Sequence, residues 1–209
     1  MPPTQQPLLS SSCFTRRSRG MALITTLTML VVVMLLSVTG ARIALDGKRN
    51  ARSMRDMDVA FQAAEAALRD AELDIEESPG PASRSRIFSH QSSEGFLVGC
   101  NMGTAGAKPY LGLCLSRNDS TPAWNEVDWD TTVNPRTVKF GDFTGRSFPT
   151  GAGSMPARVP RYLIELMTDN GNGTSATGQL YVYRITALGF GPNDATRAMV
   201  QSVYRKSAR

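Results

Sequence analysis

The sequence predicts an α+β fold: one long N-terminal helix packed on a C-terminal antiparallel β-sheet. Three observations point there. Residues 21–41 form an uncharged apolar run, the residues that follow carry an apolar stripe at helical spacing, and the C-terminal third holds three β-branched and aromatic runs joined by Gly- and Asn-rich links. The chain has 209 residues and 22.6 kDa, enough for one compact domain with an appendage. Apolar residues make up 41% of it, with 18 Gly and 12 Pro, the composition of a globular chain with loops. The net charge of +5 falls to +2 without the first 20 residues, where Arg16, Arg17 and Arg19 stand with no acid. The basic balance is therefore a property of the N-terminus, and no nucleic-acid partner is expected.

Residues 21–41, MALITTLTMLVVVMLLSVTGA, hold no charge. At about 1.5 Å per residue such a helix spans about 30 Å, the thickness of a bilayer's hydrocarbon core. A membrane segment is expected here, a buried soluble helix being the alternative. The N-terminal signal admits three readings. A secretory signal peptide cut after Ala41 needs an h-region of about 7 to 15 residues, shorter than this one. Twin-Arg export at Arg16-Arg17 wants apolar residues where Arg19-Gly20 stands. Cleavage between Gly20 and Met21 leaves a mature chain that opens directly into its apolar helix. Positive charge does not set the orientation, because Arg42, Lys48, Arg49, Arg52 and Arg55 flank the far side of the run.

Beyond the run, Met57, Phe61, Ala64, Leu68, Ala71 and Ile75 recur at steps of three and four, one apolar stripe. Arg69, Asp70, Glu72, Asp74 and Glu76 lie off it, and Glu65, Glu72, Glu76 and Glu77 read as a solvated face. Gly40 and Gly47 allow the helix to bend or loosen between its two halves. Ser78-Pro79-Gly80-Pro81 ends it. Residues 78–158 read as loops around short strands, with candidates at 95–99 and 137–143. Residues 161–168, 179–188 and 196–206 form a β-meander, in which Tyr181, Tyr183, Ile185 and Ala187 share the face that accepts the helix.

A basic leader ending in Gly, followed by a new N-terminus opening into about twenty apolar residues, resembles the class III signal of type IV prepilins. The segment AFQAAEAALRDAE at 60–72 is similar to the PilX and PilV minor pilins. GLC at 112–114, Pro122-Ala123-Trp124, Val127-Asp128-Trp129, PRYLIEL at 160–166, YRITALGFG at 183–191 and VQSVYR at 200–205 look like PilX.

The resemblance implies four regions: a leader (1–20), a transmembrane and fibre-core helix (21–41), the amphipathic half of that helix (42–77) and a globular β region (78–209). It implies cleavage at Gly20–Met21 by prepilin peptidase, N-methylation of Met21, and a single-pass inner-membrane protein with a periplasmic domain that later joins a surface fibre. Implied partners are other minor pilins, the major pilin and a tip adhesin, and implied roles are pilus initiation, twitching motility and adhesion. Thr25 stands at the fifth mature position, where major pilins carry a Glu thought to pair with a neighbour's N-terminal amine. The K-type pseudopilin of type II secretion also lacks that Glu and sits at a tip. Such a pseudopilin is one alternative for this chain, and an anchored or secreted periplasmic enzyme or binding domain is another.

With Cys13 in the leader, Cys100 and Cys114 are an even pair in an exported, Gly-rich region, expected as a disulfide with two buried thiols as the alternative. The run Asp169-Asn170-Gly171-Asn172-Gly173-Thr174 lacks the second and third ligand positions of a calcium loop and reads as a hairpin turn. Trp124 and Trp129 are either loop anchors or an exposed binding pair. His90 is the only histidine, and no nucleophile elbow, phosphate loop, zinc or dinucleotide motif occurs. No catalysis, metal or cofactor is expected.

Overall fold

The computed structural model describes residues 20–76, 82–89, 91–103, 108–117, 121–168 and 181–207. The chain divides between Asn50 and Ala51 into two compact units. Helix α1, Met21–Glu76, belongs to both and continues through Gly40 and Gly47. In the first unit every residue of α1 is exposed.

The second unit is α+β: the rest of α1 lies against a mixed six-stranded sheet. Its strands are β1 (Leu97–Val98), β2 (Leu113–Leu115), β3 (Val138–Lys139), β4 (Arg161–Thr168), β5 (Tyr181–Phe190) and β6 (Arg197–Tyr204). The order is β1-β2-β4-β5-β6, and β3 and β2 share one edge of β4, opposite residues 161–162 and 164–166 respectively. The expected meander is present, with β4, β5 and β6 antiparallel neighbours in the register Ile164↔Ile185 and Ala187↔Val200.

The sheet also departs from a purely antiparallel one. Strand β2 runs parallel to β4, and β1 parallel to β2. Parallel neighbours need a crossover, and the loop-rich stretch between Leu115 and Arg161 supplies it. The candidates at 95–99 and 137–143 shrink to two-residue strands, while β5 runs on to Phe190, two residues past its expected end.

Alternation divides the core in two. Tyr162, Ile164 and Leu166 of β4 join Tyr183, Ile185 and Ala187 of β5 under Ala67, Ala71 and Ile75 of α1. On the other face, Leu163, Leu188 and Phe190 pack with Cys100, Cys114, Ala123, Val127 and Trp129. The face expected to receive the helix does so.

The helix stripe is shifted from its expected line. Ala60, Ala63, Ala64, Ala67, Ala71 and Ile75 are buried, whereas Met57 and Phe61 are about half exposed, at 50% and 47%. The cause is a close approach. A Cβ on Gly189 would lie 2.1 Å from the Ala60 carbonyl oxygen and 2.3 Å from the Ala64 nitrogen. Only small side chains fit where helix backbone meets strand backbone, so the alanines, not the larger apolar residues, make the seam.

Candidate functional site

In the first unit the chemistry is that of an apolar rod. Met21, Leu30, Val33 and Leu36 are each more than half exposed, and this part of α1 is long and apolar enough to cross a membrane. A helix crossing hydrocarbon must satisfy every polar group internally. Its backbone does so by helical bonding, and all five hydroxyls follow. Thr25 Oγ1 donates to the carbonyls of Met21 (3.2 Å) and Ala22 (3.0 Å), Thr26 to Leu23, Thr28 to Thr25, Ser37 to Val33, and Thr39 to Leu35 and Leu36. Thr25 thus has a complete local set of bonds. Gly20 and Met21 sit exposed at the helix start, with open space where a Gly20 Cβ would be. Charge returns beyond the run at Arg42, Lys48 and Arg49, with Arg49 3.8 Å from Asp46.

The second unit fixes the C-terminal turns of α1 through two carboxylates that lie off the expected apolar stripe. Asp70 and Asp74 are both fully buried. Asp74 receives the Arg84 guanidinium through Nε (3.0 and 2.9 Å) and Nη2 (2.6 Å), and the Tyr162 hydroxyl at 2.9 Å. Arg84 also donates to the carbonyls of Pro109 and Leu111 and lies 3.7 Å over the Phe143 ring. Asp70 accepts the Gly141 N–H at 2.8 Å and the Thr144 hydroxyl at 2.5 Å, with Arg146 at 3.7 Å.

A buried charge is tolerable only when paired and hydrogen-bonded, which is what these loops supply. Burial pushes the Asp70 carboxyl above the usual carboxylate range, and the bonds from Thr144 and Gly141 only partly oppose it. Burial, with Asp74 beside it, holds the Tyr162 phenol well above its ordinary value. Glu76, expected on the solvated face, is half-buried and accepts bonds from Tyr204 and from Ser207. Slight burial works to raise its carboxyl, but the bonds from Ser207 and Tyr204 outweigh it and hold the group below its ordinary value.

On the opposite face of the sheet Glu165 is fully buried. It accepts from Ser116, from the Ala123 N–H at 3.1 Å and from Arg184 at 2.9 and 2.5 Å, tying the crossover loop to β4. Cys100 and Cys114 are joined as a disulfide between the end of β1 and β2. Trp129 is buried and donates to the Trp124 carbonyl at 3.1 Å, and Trp124 packs half-buried on the same cluster, so the pair anchors a loop.

Residues 1–19 of the leader, Glu77, His90 and residues 169–174 lie outside the described residues. Among the described residues no three His, Cys, Asp or Glu side chains gather as a metal-ligating group. Sequence reading missed Asp70, Asp74 and Arg84. The available signal was the spacing of 70 and 74, each one residue from the buried positions 71 and 75.

Two family models match the chain: the PilX N-terminal model over residues 19–69 and the type IV pilus assembly protein PilX C-terminal model over residues 110–206. No curated protein and no solved structure gives a significant match.

Proposed function

The chain belongs to the PilX family of type IV pilus assembly proteins, and from that premise we propose that it is a minor pilin that primes assembly of the pilus and is incorporated into it. The observation that carries this reading is the segment 21–41, fully exposed, uncharged and with every hydroxyl closed onto its own helix, so that lipid or neighbouring helices can surround it on all sides.

In this reading residues 1–20 are a leader removed by prepilin peptidase between Gly20 and Met21, and Met21 is N-methylated. Residues 21–41 hold the protein in the inner membrane and then pass into the fibre core. Residues 42–77 and 78–209 form the periplasmic and later surface-exposed part. The Cys100–Cys114 disulfide supports an oxidising compartment. Its partners are other minor pilins, the major pilin and a tip adhesin. Small and β-branched residues such as Ala22, Thr25, Thr28 and Gly40 provide close helix packing. Thr25 asks nothing of a subunit above it, which favours a place at or near the tip, in support of twitching motility and adhesion.

The test is mass analysis of the intact protein and its N-terminus, from membranes and from sheared surface fibres, with and without prepilin peptidase. A chain starting at N-methylated Met21, found in fibres only with the peptidase, is the expected result. A start at Arg42, or an uncut leader, overturns the reading in favour of an anchored or secreted periplasmic domain.

A further inference from the structure

Where the uncharged run of α1 ends, positive charge gathers on one side of the helix. Residues 42–52 hold four basic residues, Arg42, Lys48, Arg49 and Arg52, against one acid, Asp46. At about 100° per residue the four fall within about 120° of the helix circumference. Ile43 and Leu45 stand exposed among them. The chain itself does little to neutralise this charge. Arg49 lies 3.8 Å from Asp46 with both side chains exposed, a pair that water screens. Among the described residues, Arg42, Lys48 and Arg52 have no carboxylate partner.

Distance along the axis decides which of these charges a membrane reaches. The run 21–41 takes up about 30 Å of hydrocarbon, the headgroup layer beyond it is about 5 to 7 Å deep, and the Debye length adds about 8 Å. That zone ends about 15 Å past Ala41. At about 1.5 Å per residue Arg42 stands at its floor, Lys48 and Arg49 at about 10 to 12 Å, Arg52 at about 16 Å on its margin, and Arg55 at about 21 Å, beyond it. Cationic heads inside the zone meet lipid phosphates, while their apolar stems, with Ile43 and Leu45, stay against the hydrocarbon boundary.

We infer that residues 42–49 of α1, with Arg52 at their margin, bind the phosphate groups of anionic phospholipids in the leaflet where the apolar run ends. The occupant is a phospholipid with a net negative headgroup, because each Lys or Arg this close to the surface favours it over a zwitterionic one by up to about fivefold. The contact fixes how deep α1 sits, and so sets the Gly20–Met21 junction about 32 Å away, at the other surface of the hydrocarbon. The inference rests on the membrane segment and leader of the reading above and adds the lipid that the end of the segment selects.

The experiment reconstitutes the full-length chain in phosphatidylcholine vesicles with a trace of spin-labelled phosphatidylglycerol or spin-labelled phosphatidylcholine. Electron spin resonance reads the fraction of each label immobilised at the protein. Wild type is expected to hold phosphatidylglycerol at least threefold more strongly than phosphatidylcholine. The preference should fall at least twofold when Arg42→Gln, Lys48→Gln and Arg49→Gln are combined. All three residues are exposed, so these changes remove charge without touching the core. The preference should survive Arg42→Lys, Lys48→Arg and Arg49→Lys together, and be unchanged in Arg55→Gln, whose charge lies beyond the zone. Salt at about 1 M, which shortens the Debye length to about 3 Å, should weaken it, whereas millimolar inorganic phosphate should not displace the lipid. Equal retention of the two labels, a preference indifferent to the Gln substitutions, an equal loss in Arg55→Gln, or displacement by inorganic phosphate each overturns the lipid contact. No immobilised label of either kind means that residues 21–41 do not enter the bilayer, and the membrane reading falls with the inference. Insertion without a preference sinks the inference alone.

Discussion

The two parts of α1 have the same backbone and opposite side-chain logic. Over residues 21–50 the helix carries Leu, Met, Val and Ile with nothing packed on any side, and every residue is exposed. Over residues 51–76 the buried positions are alanines, Ile75 and two aspartates, and they touch strand backbone and loop donors. Apolar bulk therefore marks the part of the helix that no other described element of the chain covers. Small size and buried charge mark the part fixed to its own fold. Hydropathy alone reverses this assignment, because it ranks a leucine above an alanine wherever each stands.

The fixed part of α1 depends most on Arg84. Arg84→Met leaves Asp74 buried with only the Tyr162 hydroxyl, and removing one partner of a buried ion pair costs about 3 to 5 kcal/mol. Thermal unfolding of the detergent-solubilised chain is the measurement, and a loss below about 1 kcal/mol would show that water or Arg146 takes over the charge. A trimmed side chain in the other part, Leu30→Ala, should leave the same transition unmoved, since Leu30 is exposed.

Gly189→Val ranks next. Its Cβ would fall within 2.1 Å of the Ala60 carbonyl oxygen, and the obstacle is helix backbone, which cannot rotate away. Overpacking of this kind costs about 1 to 3 kcal/mol and should push α1 off β5. Hydrogen exchange at residues 60–67 reads this directly, with faster exchange expected in the variant.

Gly189 also shows where the sequence stopped being legible. A Gly-Phe-Gly triplet followed by Pro192 looks like the end of a strand, yet β5 continues to Phe190 because the helix lies over Gly189. The 21-residue apolar run and the three meander runs were readable because each is local: composition and alternation over a few residues decide them. Strand β2 was not, since three residues, Leu113 to Leu115, pair with β4 across 51 positions of chain, and no short-range pattern encodes a parallel partner. The ionic hub failed for a related reason. Asp70 and Asp74 on a helix look like ordinary solvated acids until Arg84, ten residues beyond Asp74, and the far more distant Gly141 and Thr144 are folded over them.

Acid sharpens the difference between these two carboxylate environments and Glu76. Asp70 has a folded-state pKa raised by burial, so the folded chain holds its proton more tightly than the unfolded one. Its contribution to stability is fully present below the unfolded pKa and is lost as pH rises through the folded value. Glu76 is lowered, so its contribution is present above the unfolded pKa and is lost as pH falls through the folded one. Asp70→Asn keeps an acceptor for Gly141 or Thr144 and is expected to change stability by less than about 1 kcal/mol at pH 7. Between pH 7 and pH 4 the wild type should gain on the variant, as read from denaturant midpoints. If the variant gains instead, Asp70 is held ionised by Arg146 and its burial is not what sets its proton affinity.

The smallest effect is expected at Thr25, and its smallness is informative. The hydroxyl bonds only the Met21 and Ala22 carbonyls, which the helix already holds in place, so Thr25→Val removes bonds that no other element uses. Valine keeps the branched shape and suits the helix no worse in hydrocarbon. The variant should be processed and recovered in sheared fibres at the wild-type level, within about twofold, a difference under about 0.5 kcal/mol. Thr25→Glu then adds a carboxylate at the same place, near one end of the apolar run, where a charge facing hydrocarbon is costly unless a neighbour's amine answers it. If the glutamate variant enters fibres as well as the valine one, an amine from a subunit above is available to Thr25 and the chain sits within the shaft. If valine is accepted and glutamate is not, nothing stands above residue 25, and the tip position follows from the charge that position refuses.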